Sequence, residues 1–178
     1  VFGEMLVFRK LLDESPFEQK KQLLAGKIED MLNTVARQIG FHQFEVKFHE
    51  ARIESELTPD EISDIWMKTQ SHAVGPYINL GNDYRMLWGY IPHFVHTPFY
   101  VYAYAFGDSL VNALWYTYQK SDKHIFANKY IEMLSAGGTK SHKDLLKPFN
   151  LSAYENSFWN KGITMITNLM DELESLKT

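Results

Sequence analysis

The stretch SPFEQKKQLLAGKIEDMLNTVARQIG, residues 15–40, carries Leu23, Leu24, Ile28, Met31, Leu32, Val35 and Ile39 at steps of three and four. That step matches the helical repeat of 3.6 residues and puts the apolar side chains on a single stripe. Ser15, with Pro16 after it and Glu18 three residues on, is a start signal. The pattern continues to about Glu56. Gly26 and Gly40 read as tolerated interruptions, each costing about 1 kcal/mol relative to Ala.

Working outward, Val1 to about Leu12 reads as an earlier helix. Thr58-Pro59-Asp60-Glu61 is a second start, leading Ile62, Ile65, Trp66 and Met67. Thr97-Pro98 opens a helix to about Tyr118, and Ser121-Asp122 opens one that stops at Gly137-Gly138. Ser141 to Lys147 is a short helical turn. Ser152-Ala153-Tyr154-Glu155 begins a closing helix with Trp159, Ile163, Ile166, Leu169, Met170 and Leu173 as its stripe. From Val74 to Pro98 the periodicity fails, and the segment reads as a long aromatic-rich loop, a kind that is often functional. No alternating run reads as a strand. The expected fold class is all-α, a multi-helix single domain over residues 1–178.

Composition narrows the chemistry. The chain has no cysteine, which removes disulfides and thiolate metal sites. Its net charge is −4, so it carries no electrostatic footprint for nucleic acid. No segment approaches the roughly 18 apolar residues of a membrane span, and no secretory signal opens the chain. A cytoplasmic location is the expectation. Val1 is not Met and stands inside an apolar run, which reads as a cut.

Several catalytic patterns are missing. His49-Glu50 lacks the second histidine of a zinc helix, and there is no phosphate loop, no nucleophile elbow and no di-iron set. His42, Glu45 and His49 share one helical face and could bind a metal or pass a proton; the favoured reading is a hydrogen-bonded polar face. The segment from Ile91 to Gly107 is richer. Two histidines, His93 and His96, and three tyrosines, Tyr100, Tyr102 and Tyr104, lie within it. On a helix, Tyr100 and Tyr104 would project from one face, with Tyr102 pointing elsewhere. A neutral phenol is a hydrogen-bond donor near pH 7. Two donors aimed at one point can stabilise an oxyanion, and a nearby histidine can orient one of them. Tyrosines at this spacing equally describe a core with wet tips.

These residues carry a resemblance. His93-Phe94 followed by Phe99-Tyr100-Val101-Tyr102-Ala103-Tyr104-Ala105-Phe106-Gly107 resembles the carboxy-terminal signature of oligoendopeptidase F, within the thimet-oligopeptidase-like zinc peptidases. Val1-Phe2-Gly3-Glu4-Met5-Leu6 is similar to the end of the family's third-ligand helix. Arg37-Gln38-Ile39-Gly40-Phe41-His42-Gln43-Phe44-Glu45 resembles its Arg-Gln helix. Met133-Leu134-Ser135-Ala136-Gly137-Gly138-Thr139-Lys140-Ser141 resembles its Gly-Gly loop, with Phe158-Trp159 following at the expected place.

The resemblance implies the carboxy-terminal portion of a helical, zincin-like, channelled endopeptidase that cleaves short peptides. It implies zinc in the intact enzyme, with no complete zinc site in this chain: the metal ligands and catalytic base fall in an upstream part of the same enzyme. Tyr104 and Tyr100 match the tyrosines that donate to the oxyanion. His93 matches a transition-state contact, with His96 as the alternative histidine. His96 and Tyr102 become candidate substrate contacts. Glu4 matches a glutamate that orients a zinc-bound histidine; a structural salt bridge is the other reading. Ala103 and Phe106 depart from the glutamine and threonine common in the family. The chain alone is expected to be inactive. The other reading is a helical interaction module without chemistry. The two differ at the first helix: a cut domain is expected to leave the Phe2, Met5, Leu6 face without its cover, and such a face would favour a homodimer.

Overall fold

The computed structural model describes residues 2–176, which are all-α with no strand. Val1, read as a cut, lies outside them. No helix among the described residues is long and apolar enough to cross a membrane. They form two compact units: Leu32–Phe106, and the residues on either side of that segment.

The long helix expected from Ser15 is broken by a change of pitch. α1 is Phe2–Glu14 and α2 is Phe17–Leu32; a π-helical turn, Asn33–Arg37, then leads into α3, Gln38–Glu54. A π turn inserts a residue and rotates everything after it around the axis. The apolar stripe therefore shifts. Leu24, Ile28 and Met31 are buried before it; beyond it Gly40, Phe41, Phe44 and Glu45 are buried while Ile39 is exposed. Ser15 does not behave as the pattern suggested, since its hydroxyl donates to the Leu11 carbonyl at 2.6 Å.

Within Leu32–Phe106, α3 pairs with α4, Pro59–Val74. The capping box at Thr58 is formed: the Thr58 hydroxyl accepts the Glu61 amide and the Glu61 carboxylate accepts the Thr58 amide. The Thr58 amide and the Thr58 hydroxyl both donate to the Glu61 carboxylate, and they hold its carboxyl below the ordinary value. Gly40 faces Ala73 and Phe44 packs on Trp66, so the two helices run antiparallel. A β-carbon on Gly40 would lie 2.7 Å from that of Ala73. This glycine permits the helix contact, and the reading of it as a mere interruption is corrected.

The segment expected to be a loop is largely helical. Asn82–Tyr90 forms a 3₁₀ run and His93–His96 forms α5. Its aromatics are the reason it escaped the 3.6 pattern: they dock sideways on α3 and α4. Tyr84, Trp88, Ile91 and Phe94 pack against the buried cluster of Phe41, Phe44, Trp66 and Val101. The Trp66 indole donates to the Tyr84 carbonyl at 2.9 Å, the Trp88 indole to the Ser63 hydroxyl at 3.1 Å, and Arg85 pairs with Asp64 at 2.8 Å.

The other unit holds α1, most of α2, and the carboxy-terminal helices. α6 spans Tyr102–Gln119, α7 Lys123–Ala136, α8 His142–Leu146 and α9 Asn156–Ser175. Asp122 caps α7 and Ser141 caps α8 as expected. Phe2 is buried among Trp115, Tyr118, Phe126 and Tyr130, with ring centroids 4.6–5.7 Å away. Met5 is buried too, so the expected uncovered face is corrected: among Phe2, Met5 and Leu6 only Leu6 is exposed. Arg9 on α1 pairs with Glu172 on α9 at 2.6 Å. α9 starts after the expected Ser152 cap, and its buried face is Phe158, Gly162, Met165 and Leu169. Leu169 of the expected stripe is buried, whereas Trp159 and Ile163 are exposed because the buried face runs one position earlier, through Phe158 and Gly162, the latter against the Ser109 backbone.

Candidate functional site

The site lies within the Leu32–Phe106 unit, on α5 and on the turn and first residues of α6 that follow it. Pro92 fixes the start of α5, which displays His93 in its first turn. The chain then turns through Thr97–Val101. α6 begins at Tyr102, later than the expected Thr97-Pro98 start. Tyr100 therefore stands in the turn and not on a helix. The Ala103 amide donates to the Tyr100 carbonyl at 2.9 Å and the Tyr104 amide to that of Val101 at 3.2 Å. Val101 is buried and anchors this turn to the aromatic core.

The backbone is strained at Phe99, which has φ of 60°. An L-residue in this left-handed region carries a cost of about 1–2 kcal/mol. The turn persists because neighbours hold it. The Phe99 amide donates to Glu45 Oε1 at 2.7 Å, from a glutamate that is 1% exposed. The His49 ring lies 4.8 Å from the Phe99 ring, and the His42 ring 5.8 Å from that of Tyr102.

This geometry brings three of the expected residues together. His93 Nε2 lies 3.0 Å from the Tyr104 hydroxyl. The Tyr100 ring stacks parallel to His93 and meets Tyr104 edge-on, at centroid distances of 6.4 and 5.6 Å. Tyr104 is 41% exposed and Tyr100 51%. Those fractions decide one question: the pair does not fill a core. Two phenols and an imidazole thus gather on one patch whose tyrosines are open to solvent.

Two of the remaining expected residues, Tyr102 and His96, lie apart from this cluster. Tyr102 points toward His42 and is not part of the cluster. His96, at the end of α5, is exposed and has no side-chain hydrogen bond or ring contact among the described residues. Glu4 sits exposed in the first turn of α1, in the other unit. Among the described residues no three His, Asp or Glu side chains gather as a metal requires. The described residues thus do not fit the zinc that the resemblance implies.

Glu45 is what residue-by-residue reading undervalued. The signal was available: position 45 lies one helical turn from both Phe41 and Phe48, which puts an acid on a core-facing stripe.

Comparison with known proteins agrees with this architecture. The sequence profile of peptidase family M3 matches residues 1–165. The chain is 25% identical over 178 residues to an oligoendopeptidase F homolog of Borreliella burgdorferi, covering 99% of this chain and 30% of that protein. It is 25% identical over 181 residues to the chromosomal oligoendopeptidase F of Lactococcus lactis subsp. cremoris, covering 98% and 29%. The crystal structure of oligoendopeptidase-F from Enterococcus faecium superimposes with a TM-score of 0.86 at 23% identity, over 98% of this chain and 34% of that one. The chain therefore spans about a third or less of the proteins it resembles.

Proposed function

The chain belongs to peptidase family M3, and from that membership we propose that it forms one wall of an endopeptidase site for short peptides, with Tyr104 and Tyr100 as oxyanion donors. When a peptide carbonyl is attacked, its carbon becomes tetrahedral and its oxygen gains negative charge. A phenol donates to that oxygen without being charged itself, and a preset donor costs no reorganisation at the moment of reaction.

The observation that carries this reading is the His93–Tyr104 contact at 3.0 Å between exposed side chains. The role of His93 follows from its proton. With the proton on Nε2, His93 donates to the Tyr104 oxygen, which leaves the phenol proton free and strengthens it as a donor. With the proton on Nδ1, His93 would accept the phenol proton and take it away from the substrate. Oxyanion stabilisation requires the first tautomer. Tyr102, His96 and Glu4 take subsidiary places as candidate peptide contacts and as an orienting carboxylate. The zinc implied by the resemblance finds no ligand set among the described residues, and would be held by residues outside this chain.

The test is steady-state hydrolysis of a quenched fluorescent peptide of about ten residues by the full-length protein. A lost oxyanion donor costs about 100- to 1000-fold in turnover. Tyr104→Phe should lower kcat by that order with a smaller change in KM; parental kcat in a folded variant contradicts the reading. A second reading, a helical interaction module, is favoured by one feature: Leu6, Val7 and Leu11 of α1 are 41–67% exposed. A monomeric mass by light scattering would count against it.

A further inference from the structure

α3 presents His42, Glu45 and His49 at steps of three and four, and each of them touches either the turn that carries Tyr100 or the first residue of α6 after it. His42 meets Tyr102, Glu45 accepts the Phe99 amide, and His49 packs on the Phe99 ring. Two of these contacts are aromatic and tolerant of geometry. The third is a charge-assisted bond of 2.7 Å from a side chain that is 1% exposed. It lands on the one residue of the turn with φ in the left-handed region, and the next residue is Tyr100.

Resting on the reading of Tyr100 and Tyr104 as donors, we propose that Glu45 is a positioning residue for peptide hydrolysis. Burying a carboxylate is costly unless it is hydrogen-bonded. The Phe99 amide donates to Oε1 of this one, and its Oε2 has no protein partner among the described residues. An acid placed there does little for packing that a leucine would not do. What it does is fix the Phe99 amide, and so hold Phe99 in a conformation that an L-residue leaves readily. If that amide were released, Phe99 would relax toward negative φ and the Tyr100 side chain would swing. Displacing a reacting or stabilising group by about 1 Å can cost on the order of 100-fold in rate.

The experiment is carried out on the full-length protein with Glu45→Ala, Glu45→Gln, Tyr100→Phe, Tyr104→Phe and the double variant Glu45→Ala/Tyr100→Phe. Glu45→Ala should lower kcat by about 10- to 100-fold while KM moves by less than about threefold. Glu45→Gln keeps an acceptor oxygen and should recover most of the loss. In the Tyr100→Phe background, Glu45→Ala should cost little more, because its effect runs through that hydroxyl. Amide hydrogen exchange gives a readout independent of activity: protection at Phe99 should be lost in Glu45→Ala and kept in Glu45→Gln. Where Glu45→Ala does not fold, Glu45→Leu retains the volume and carries the same comparisons. Equal kcat losses in both backgrounds, or parental kcat in Glu45→Ala beside impaired Tyr100→Phe, overturn the assignment of Glu45. Parental kcat in both Tyr100→Phe and Tyr104→Phe overturns the donor reading itself, and the inference with it.

Discussion

At the scale of single residues, the His93–Tyr104 pair and Asp108 are decided by where a proton sits. Asp108 lies in α6, where its carboxylate accepts from the Asn112 amide at 2.8 Å. Burial pushes its carboxyl above the ordinary value; the Lys27 charge and the Asn112 bond oppose this without overcoming it. A raised folded value means that the neutral acid suits the fold better than the carboxylate. Its contribution to stability is fully present below the ordinary aspartate range and is lost as pH rises through the raised value. Asp108→Asn should therefore stabilise the protein near neutral pH. The gain should shrink to nothing under acid conditions, as denaturant midpoints across pH would reveal. The tyrosine cluster was partly legible in the sequence. Residue types and order pointed to Tyr100, Tyr104 and His93 as a group. That Tyr100 stands in a turn was not legible, because the turn is held by Glu45, 54 residues away in the chain.

At the scale of elements, two glycines on what looked like one helix have opposite meanings. Gly26 of α2 would present an added β-carbon to open space, whereas Gly40 of α3 would drive one into Ala73. Gly26→Ala should raise stability by about 0.5–1 kcal/mol by improving helix propensity. Gly40→Ala should lower it by about 1–3 kcal/mol through overpacking. Urea unfolding of both variants checks the contrast; equal effects would contradict the close packing of α3 on α4. Local signals read well where the answer is local. Thr58, Asp122 and Ser141 cap helices as their sequences foretold. Signals that depend on tertiary contact read poorly. The π turn at Asn33–Arg37 rotates the buried face without leaving a mark in the periodicity. The 3₁₀ run Asn82–Tyr90 is shaped by two indole hydrogen bonds with α4, Trp88 donating to Ser63 and Trp66 to the Tyr84 carbonyl, which no helical pattern encodes.

At the scale of the molecule, the chain spans 29–30% of the oligoendopeptidase F relatives it matches. It carries the tyrosines but no gathered metal ligands among its described residues. The separately produced chain should therefore bind no stoichiometric zinc by elemental analysis and should cleave no peptide. One zinc per full-length molecule is the accompanying expectation. Stoichiometric zinc on the isolated chain would contradict this division of labour. The central claim is that Tyr104 acts on the transition state and not on the bound peptide. An interaction made only in the transition state should be lost equally from kcat/KM and from the affinity of a tetrahedral analogue. The measurement is the inhibition constant of a phosphinic peptide against the full-length protein and its Tyr104→Phe variant. The account predicts that the variant binds the phosphinic peptide about 100-fold more weakly, in step with its kcat/KM, with KM for the matching substrate little changed. Undiminished affinity for the phosphinic peptide in a folded Tyr104→Phe variant would contradict it.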